Sequence, residues 1–401
     1  MKELLSRNRH DGIRLAVRLC LVMLVVAGTM GASKPARKSR KAAARKPKPD
    51  VSSICIEAGT GLVIMEENAD KARPPASMVK MMQMLLVSEG LRAGRWTLDT
   101  PIKVSAKAEA MGGTQVELKE NEEFPLGQMM QAVAVCSAND AAMAVAEALW
   151  GDEKTYLETV NERAAELGMK NTKFSSVHGL PPDPGEEIDV TTAREMARLA
   201  QFCVLDPIIL QWTSQKELAF RPTDPVKKNT NQLLEIMPDC DGLKTGFIRS
   251  AGFCLTATAV RDGIRLISVV MGMTSNSNRF VESQKVLDTA FGQVTKKRVV
   301  AKGAPVGEPV PVANCETRTV SLTAADDLWV VVKHDDADKL KVAPKYPALI
   351  HAPLTAGAPV GEVNVELAGK LLGTVALTAP VTLKEADLRW KLMNSLAMPR
   401  K

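Results

Sequence analysis

One charged side chain, Lys80, interrupts an otherwise uncharged stretch from Pro74 to Ser88, where its neighbours are Met78, Val79, Met81, Met82, Met84, Leu85, Leu86 and Val87. A helix apolar on nearly every side is buried, and a buried ammonium either finds partners or gives up its proton. The chain must therefore fold around a polar pocket sunk into its own core. A second stretch repeats the pattern. Between Glu123 and Glu147 the only charge is Asp140, in the cluster Ser137, Asn139 and Asp140 within an Ala, Val and Met run. Two polar islands in two apolar helices favour one shared pocket.

Pro74 and Pro75 cannot continue a helix backwards. The spacing thus predicts a helix starting near Ser77, with its hydroxyl at the positive end of the macrodipole and Lys80 on the same face one turn along. With its pKa lowered by burial, Lys80 is neutral near pH 7 and accepts the Ser77 proton as the hydroxyl attacks a carbonyl. Ser77 also reads as a simple N-cap, a role compatible with attack. A third string, Lys244-Thr245-Gly246, places a cationic group on a strand edge. A Ser-x-x-Lys string arises by chance about once in a chain this long, Ser-x-Asn about as often, and Lys-Thr-Gly far less often. The ordered set Ser77-Met78-Val79-Lys80, Ser137-Ala138-Asn139 and Lys244-Thr245-Gly246 carries the reading. It supplies a hydroxyl nucleophile with a lysine base, a second hydroxyl with an amide, and a cation, as a serine acyl-enzyme without a histidine base requires.

Further strings fall in order around these three: Asn68-Ala69-Asp70, Asn139-Asp140-Ala141, Leu167-Gly168-Met169-Lys170-Asn171-Thr172, Val177-His178-Gly179-Leu180, Asp241-Gly242-Leu243 and His351-Ala352-Pro353-Leu354. With them the chain, from about Ser52 onward, resembles the penicillin-binding D-alanyl-D-alanine carboxypeptidases, the low-molecular-mass serine peptidases of bacterial cell-wall synthesis. The resemblance implies that Ser77 is acylated, that Lys80 is its general base, and that Ser137 relays a proton to the leaving amine. It implies that Asn139 binds the substrate amide and that Lys244 and Thr245, with Gly246 beside them, hold the terminal-carboxylate side of the peptide. Arg279 helps bind that carboxylate, and the backbone N–H groups of Ser77 and Phe247 form the oxyanion hole. The implied partners are peptidoglycan stem peptides and, as acylating inhibitors, β-lactam antibiotics; no cofactor is implied. Two positions depart from the family's pattern. Ala138 stands where many relatives carry Gly, and Phe247 follows Lys-Thr-Gly where relatives often carry a polar residue, which alters pocket polarity. The acidic loop from Pro181 to Glu187 reads as a local insertion without an assigned role.

The net charge of +6 comes largely from the run Lys34 to Lys48, which holds eight Lys or Arg and no acid. No nucleic-acid motif follows it, and an Ala, Lys and Pro segment of this kind reads as a solvated linker open to anionic lipid or wall polymer. Arg7, Arg9, Arg14 and Arg18 precede the apolar stretch Leu19 to Ala27, with Gly28, Gly31 and Ala32 after it, the order of a secretory signal peptide. Cleavage near Ala32 is expected, with an uncleaved anchor as the alternative, and the protein is placed in the periplasm or another extracytoplasmic compartment. The seven cysteines form no Cys-x-x-Cys pair and the four histidines do not cluster with them, so no metal site is expected. Cys136 and Cys254 read as buried thiols, and sequence chooses no bridge. His178 reads as part of a structural turn rather than as a base.

The expected fold class is α+β: an antiparallel sheet with helices packed on it, and a small C-terminal all-β domain. Strands are predicted over 52–56 and 62–66, helices dominating from Gln128 to about Cys203, and a strand opening at Leu243 that forms a sheet edge lining the cleft. Phe253 to Val260 and Ile264 to Met271 flank Arg261-Asp262-Gly263, a hairpin signal. A helix over 277–290 closes this part. The expected organisation is a signal peptide over 1–32, a basic linker over 33–50, a catalytic domain over 51–292, a β domain over 295–380 and an amphipathic tail over 381–401 that reaches the inner-membrane surface or docks on its own domain. Three rival readings share these residues. A class A β-lactamase needs a Glu-x-x-Leu-Asn string between Ser137 and Lys244, and none is present. A D,D-endopeptidase on cross-links uses the same machinery, and a non-catalytic wall-binding protein would not need Ser77, Lys80, Ser137, Asn139 and Lys244 intact.

Overall fold

The computed structural model describes residues 50–395. The expected signal peptide, the linker up to Pro49 and the end of the tail lie outside the described residues.

Five strands build the central sheet: β1 (Ser52–Glu57), β2 (Val63–Glu67), β3 (Cys240–Ile248), β4 (Gly252–Arg261) and β5 (Ile264–Met273). Their order is β2-β1-β5-β4-β3, antiparallel throughout, which leaves β3 at an edge as its sequence predicts. The β4–β5 hairpin closes on Asp262 and Gly263 at φ +53° and +70°, the two left-handed positions a tight two-residue turn needs. Successive strand residues point to opposite faces. Thus Ile54, Ile56, Ile267 and Val269 enter one core, while Cys55, Leu255, Leu266 and Val270 enter a second.

Helix α1 (Lys80–Arg92) lies in the first core, buried from Lys80 to Ser88 as its uncharged sequence demands. With it pack α2 (Asn139–Trp150), α3 (Glu153–Glu166) and α4 (Ala193–Val204), the last lying against β1 and β5. Helix α5 (Asn276–Phe291) covers the other face through Phe280, Val286, Leu287 and Ala290. One stretch departs from expectation. Helices do not dominate as far as Cys203: Gly168 to Thr192 is irregular, tied down by the bridges Lys173↔Val190 and Arg73↔Thr191. Side chains there take the backbone donors a helix would use, Asn161 Oδ1 from Phe174 and Glu195 Oε1 from Asn171.

Beyond α5 the chain is almost entirely β. Strands β6 (Val294–Val300) and β7 (Leu328–Lys333) pair with each other, and β8 (Pro359–Leu367) pairs with β9 (Lys370–Thr378) inside a four-stranded sheet. Val330 and Val332 enter the core of this part while Val331, between them, joins Leu287 and Ala290 of α5, so one strand's alternation ties the two parts together. Within the expected tail, helix α6 spans Leu388–Ser395 among the described residues; Leu388 and Met393 are exposed. Among the described residues, no helix is long and apolar enough to cross a membrane.

Thr192 caps α4, its Oγ1 accepting from the Glu195 N–H at 3.1 Å. Thr192→Ala is expected to lower stability by about 1 kcal/mol in urea denaturation.

Candidate active site

Ala76–Val79 form a single 3₁₀ turn and α1 begins only at Lys80. This corrects two expectations: the helix does not start at Ser77, and Ser77 is not its cap. The chain between Pro75 and Lys80 winds as a tighter 3₁₀ turn, which stacks residues three apart. Ser77 Oγ accordingly lies 3.0 Å from Lys80 Nζ. Ala76 just before it is held at φ +50°, a left-handed conformation that costs an alanine about 1–2 kcal/mol. Two glycines grip this strained turn. A Cβ on Gly179 would overlap the Ala76 carbonyl and stand 2.8 Å from Ser77 N, and one on Gly246 would stand 2.5 Å from the Pro75 carbonyl oxygen.

Lys80 is fully buried, and its Nζ has three partners: Ser77 Oγ, Asn139 Oδ1 at 2.8 Å and the His178 carbonyl oxygen at 2.8 Å. Burial, then the positive charge of Lys244, drives its pKa well below the usual lysine range, while Asp189 and Asp140 pull the other way. A neutral amine has two N–H donors and one lone pair. Asn139 Oδ1 and the His178 carbonyl can only accept, so a neutral Lys80 spends both N–H groups on them; Ser77 Oγ is the third group at Nζ, and its own hydroxyl donates to the His178 carbonyl at 3.2 Å in the resting site. The Asn139 amide cannot turn over, because its Nδ2 donates to the Gly112 carbonyl at 2.7 Å. The His178 ring takes no part as a base: its Nδ1 accepts from Leu180 N–H at 3.1 Å, and burial followed by Lys80 lowers its pKa to about 4.

Ser137 ends the π turn Ala132–Cys136 at φ +60° and is 5% exposed; its hydroxyl makes no hydrogen bond among the described residues, which leaves it available to a ligand. Asp140, in the first turn of α2, is buried and accepts from the backbone N–H groups of Val116 (3.0 Å), Leu118 (3.1 Å) and Ala141 (2.9 Å). It thereby pins the loop that presents Gly112 to Asn139 and Thr114 to the Asn139 N–H.

On β3, Lys244 is buried, and its Nζ donates to the Thr245 carbonyl at 3.2 Å. Burial, then the Arg279 charge, lowers its pKa to about 7. Thr245 Oγ1 donates to Thr230 Oγ1 at 2.8 Å, and the Thr230 N–H reaches the Val135 carbonyl, which joins the strand to the segment carrying Ser137. Phe247 is 52% exposed and stacks on Phe253 with centroids 4.1 Å apart. Arg279 is buried, with Nη1 donating to the Gly246 (3.2 Å) and Cys254 (3.4 Å) carbonyls, and burial lowers its pKa to about 10. The six described cysteines are buried thiols. Among the described residues no group of His, Cys, Asp and Glu could hold a metal. A cavity of about 810 Å³ opens beside Gly112 and His178, and the acidic loop lines it through Pro181, Asp183 and Glu186.

The sequence pattern of the D-alanyl-D-alanine carboxypeptidases matches residues 40–275, and that of the penicillin-binding protein 5 C-terminal domain matches residues 295–385. The chain is 32% identical over 339 residues to the D-alanyl-D-alanine carboxypeptidase DacF of Bacillus subtilis, 84% of this chain and 86% of that one. It is 28% identical over 361 residues to DacA of Escherichia coli, 88% of each chain. Its fold is similar to the penicillin-binding protein PBP3 of Streptococcus pneumoniae, with a TM-score of 0.74 and 25% identity over 83% of this chain and 98% of that one. The chain belongs to the D-alanyl-D-alanine carboxypeptidase family.

Within this carboxypeptidase-family site, sequence reasoning missed three participants. The His178 carbonyl and the Gly112 carbonyl are backbone groups and leave no side-chain signature. Thr230 had no motif around it. Asp140 had been singled out only as a lone charge, the signal that could have shown its anchoring role. Gly179→Ala is expected to displace the Ser77 turn and slow labelling by a fluorescent penicillin by about 100-fold. Gly292→Ala, with φ −69° and no neighbour of its Cβ nearer than 3.5 Å, is expected to leave that labelling rate unchanged.

Proposed function

We propose that the protein removes the terminal D-alanine from peptidoglycan stem peptides through an acyl-enzyme on Ser77. The observation that carries this reading is the buried Lys80 Nζ, 3.0 Å from Ser77 Oγ and held by two acceptor-only partners; a neutral amine spends both N–H groups on those partners, and its lone pair takes the Ser77 proton once the hydroxyl turns from the His178 carbonyl. In the first step the Ser77 proton passes to Lys80 Nζ as Oγ bonds to the carbonyl carbon, and the oxyanion develops against the backbone N–H groups of Ser77 and Phe247. On collapse the C–N bond breaks and the leaving amine takes a proton by way of Ser137. Water then hydrolyses the ester, again with Lys80 as base.

The β3 edge supports the binding half of the proposal, since an extended peptide adds to such an edge by main-chain hydrogen bonds. In this proposal Lys244 and Thr245, on that strand, receive the terminal carboxylate, and Asn139, bonded to Lys80, receives the substrate amide. Arg279 touches the edge through the Gly246 carbonyl, so its share is to hold Gly246 in place and add positive charge behind the carboxylate. The exposed Phe247 ring gives the rim an apolar face. The Arg-rich start followed by Leu19 to Ala27 supports export to the periplasm, where this substrate is found; the basic run and the tail helix supply contacts for the inner-membrane surface.

A fluorescent penicillin is expected to label the purified chain, and Ser77→Ala is expected to abolish labelling; label retained in that variant would remove Ser77 as nucleophile. Release of D-alanine from a synthetic pentapeptide, without cleavage of cross-linked dimers, separates carboxypeptidase from endopeptidase, and no label in the parent would favour a binding role. The pH dependence of kcat/KM is expected to be bell-shaped. Its acid limb marks protonation of Lys80, which removes the base. Its alkaline limb, near the Lys244 value of about 7, marks loss of the carboxylate-binding charge. Lys244→Arg, whose guanidinium stays charged, is expected to move the alkaline limb up by more than about one pH unit while leaving the acid limb in place.

A further inference from the structure

The acceptor that His178 offers to Lys80 is a backbone carbonyl, and something must fix where it stands. Resting on the acyl-enzyme reading above, we propose that Asp189 is a positioning residue for the reaction, its buried carboxylate setting the turn that aims the His178 carbonyl at Lys80 and Ser77. Asp189 is 3% exposed. Its Oδ1 accepts from the Ser175 N–H at 2.7 Å and the Ser176 N–H at 3.0 Å, and its Oδ2 accepts from the Ser176 hydroxyl at 2.7 Å. That hydroxyl in turn accepts from the Gly179 N–H at 2.8 Å. One carboxylate therefore governs both sides of His178: Ser175 and Ser176 directly, and Gly179 through one intervening hydroxyl.

Both outputs of this turn reach the nucleophile. The His178 carbonyl accepts from Lys80 Nζ at 2.8 Å and from Ser77 Oγ at 3.2 Å, and Gly179 lies against the Ala76 carbonyl and Ser77 N. The backbone beside Asp189 is registered to the same region from the other direction. Arg73 N–H donates to the Thr191 carbonyl at 2.8 Å and Thr191 N–H returns the bond at 2.9 Å, four residues before Ser77 and two after Asp189. A carboxylate suits the post better than an amide, because every one of its partners here is a donor and an amide would present two donors of its own to them. Asp189 touches neither substrate nor the reacting atoms; it acts through the turn.

The test is the kinetics of acylation of the full-length chain by fluorescent penicillin, resolved into the rate at saturation and the half-saturating concentration, with thermal melts to verify folding. Asp189→Ala is expected to lower the saturating rate by about 100-fold and to change half-saturation by less than about threefold, the pattern of misplaced reacting groups rather than lost affinity. Asp189→Asn, which keeps an acceptor for the two amides, is expected to lose about tenfold, and it carries the test if the alanine variant does not fold. Adding Ser176→Ala to Asp189→Ala is expected to cost less than about twofold more, because the two act along one path. Folded variants that acylate at the parent rate, a loss confined to half-saturation, or losses that multiply in the double variant would each overturn the inference. A parent chain that takes no label would overturn the acyl-enzyme reading as well, which distinguishes the two failures.

Discussion

Everything about this site follows from one amine placed where water cannot reach it. Helix α1 is buried on all sides over its first turns, so Lys80 cannot carry its charge to solvent. Stripping water from an ammonium costs several kcal/mol, and that burial, with the charge of Lys244 behind it, pulls the Lys80 pKa well below the usual lysine range and so favours the neutral amine. The groups around it come from three separate places: the turn before α1, the start of α2, and the irregular segment after α3. Each of those segments offers one atom to Nζ. The fold and the chemistry share this junction, so a change that loosens one segment also misaims the others.

Two left-handed non-glycine residues belong to this site: Ala76, just before Ser77, and Ser137, two residues before Asn139. Neither would persist unless neighbouring structure over-determined it. For Ala76 that structure is the pair of glycines at 179 and 246, whose missing side chains let two backbones press against the turn from opposite directions. For Ser137 it is the first turn of α2: Asn139 N–H donates to the Thr114 carbonyl while the Asp140 carboxylate gathers backbone N–H groups from the same loop. The two hydroxyls flanking the lysine are thus each mounted on backbone that cannot relax. This is the pre-organisation that acyl transfer to a serine needs.

The sheet was legible in the sequence because its signals are local and periodic. Alternation in β1 and β5, the Asp-Gly turn between β4 and β5, and the cation on the outermost strand each follow from a few adjacent residues. The three polar strings were legible for a related reason: a lone charge in an apolar run has few structural uses. What escaped reading was contributed by backbone or by distant partners. The start of α1 was misplaced by three residues because prolines forecast where a regular helix is barred, not that a 3₁₀ turn fills the gap. Gly168 to Thr192 looked more helical than it is, since its order comes from Asp189, Asn161 and Glu195 reaching back across the chain, contacts that no period records. Val177-His178-Gly179-Leu180 was correctly read as a turn by its glycine. That its carbonyl would matter more than its imidazole could be known only once Lys80 was seen beneath it.

The three buried cations are all displaced downward from their ordinary pKa. Burial lowers Arg279 to about 10, so it remains charged at neutral pH. Burial, followed by that charge, brings Lys244 to about 7, where it is balanced between states. Burial, followed by the charge on Lys244, lowers Lys80 well below the usual lysine range. The like charges therefore act in sequence from the strand edge inward, each making the next easier to deprotonate. An anionic group that meets Lys244 favours the charged lysine there, while its own negative charge offsets the effect of that lysine on Lys80; in the reading proposed above, the cationic edge therefore serves binding, and burial, the largest cause of the Lys80 shift, sets the base.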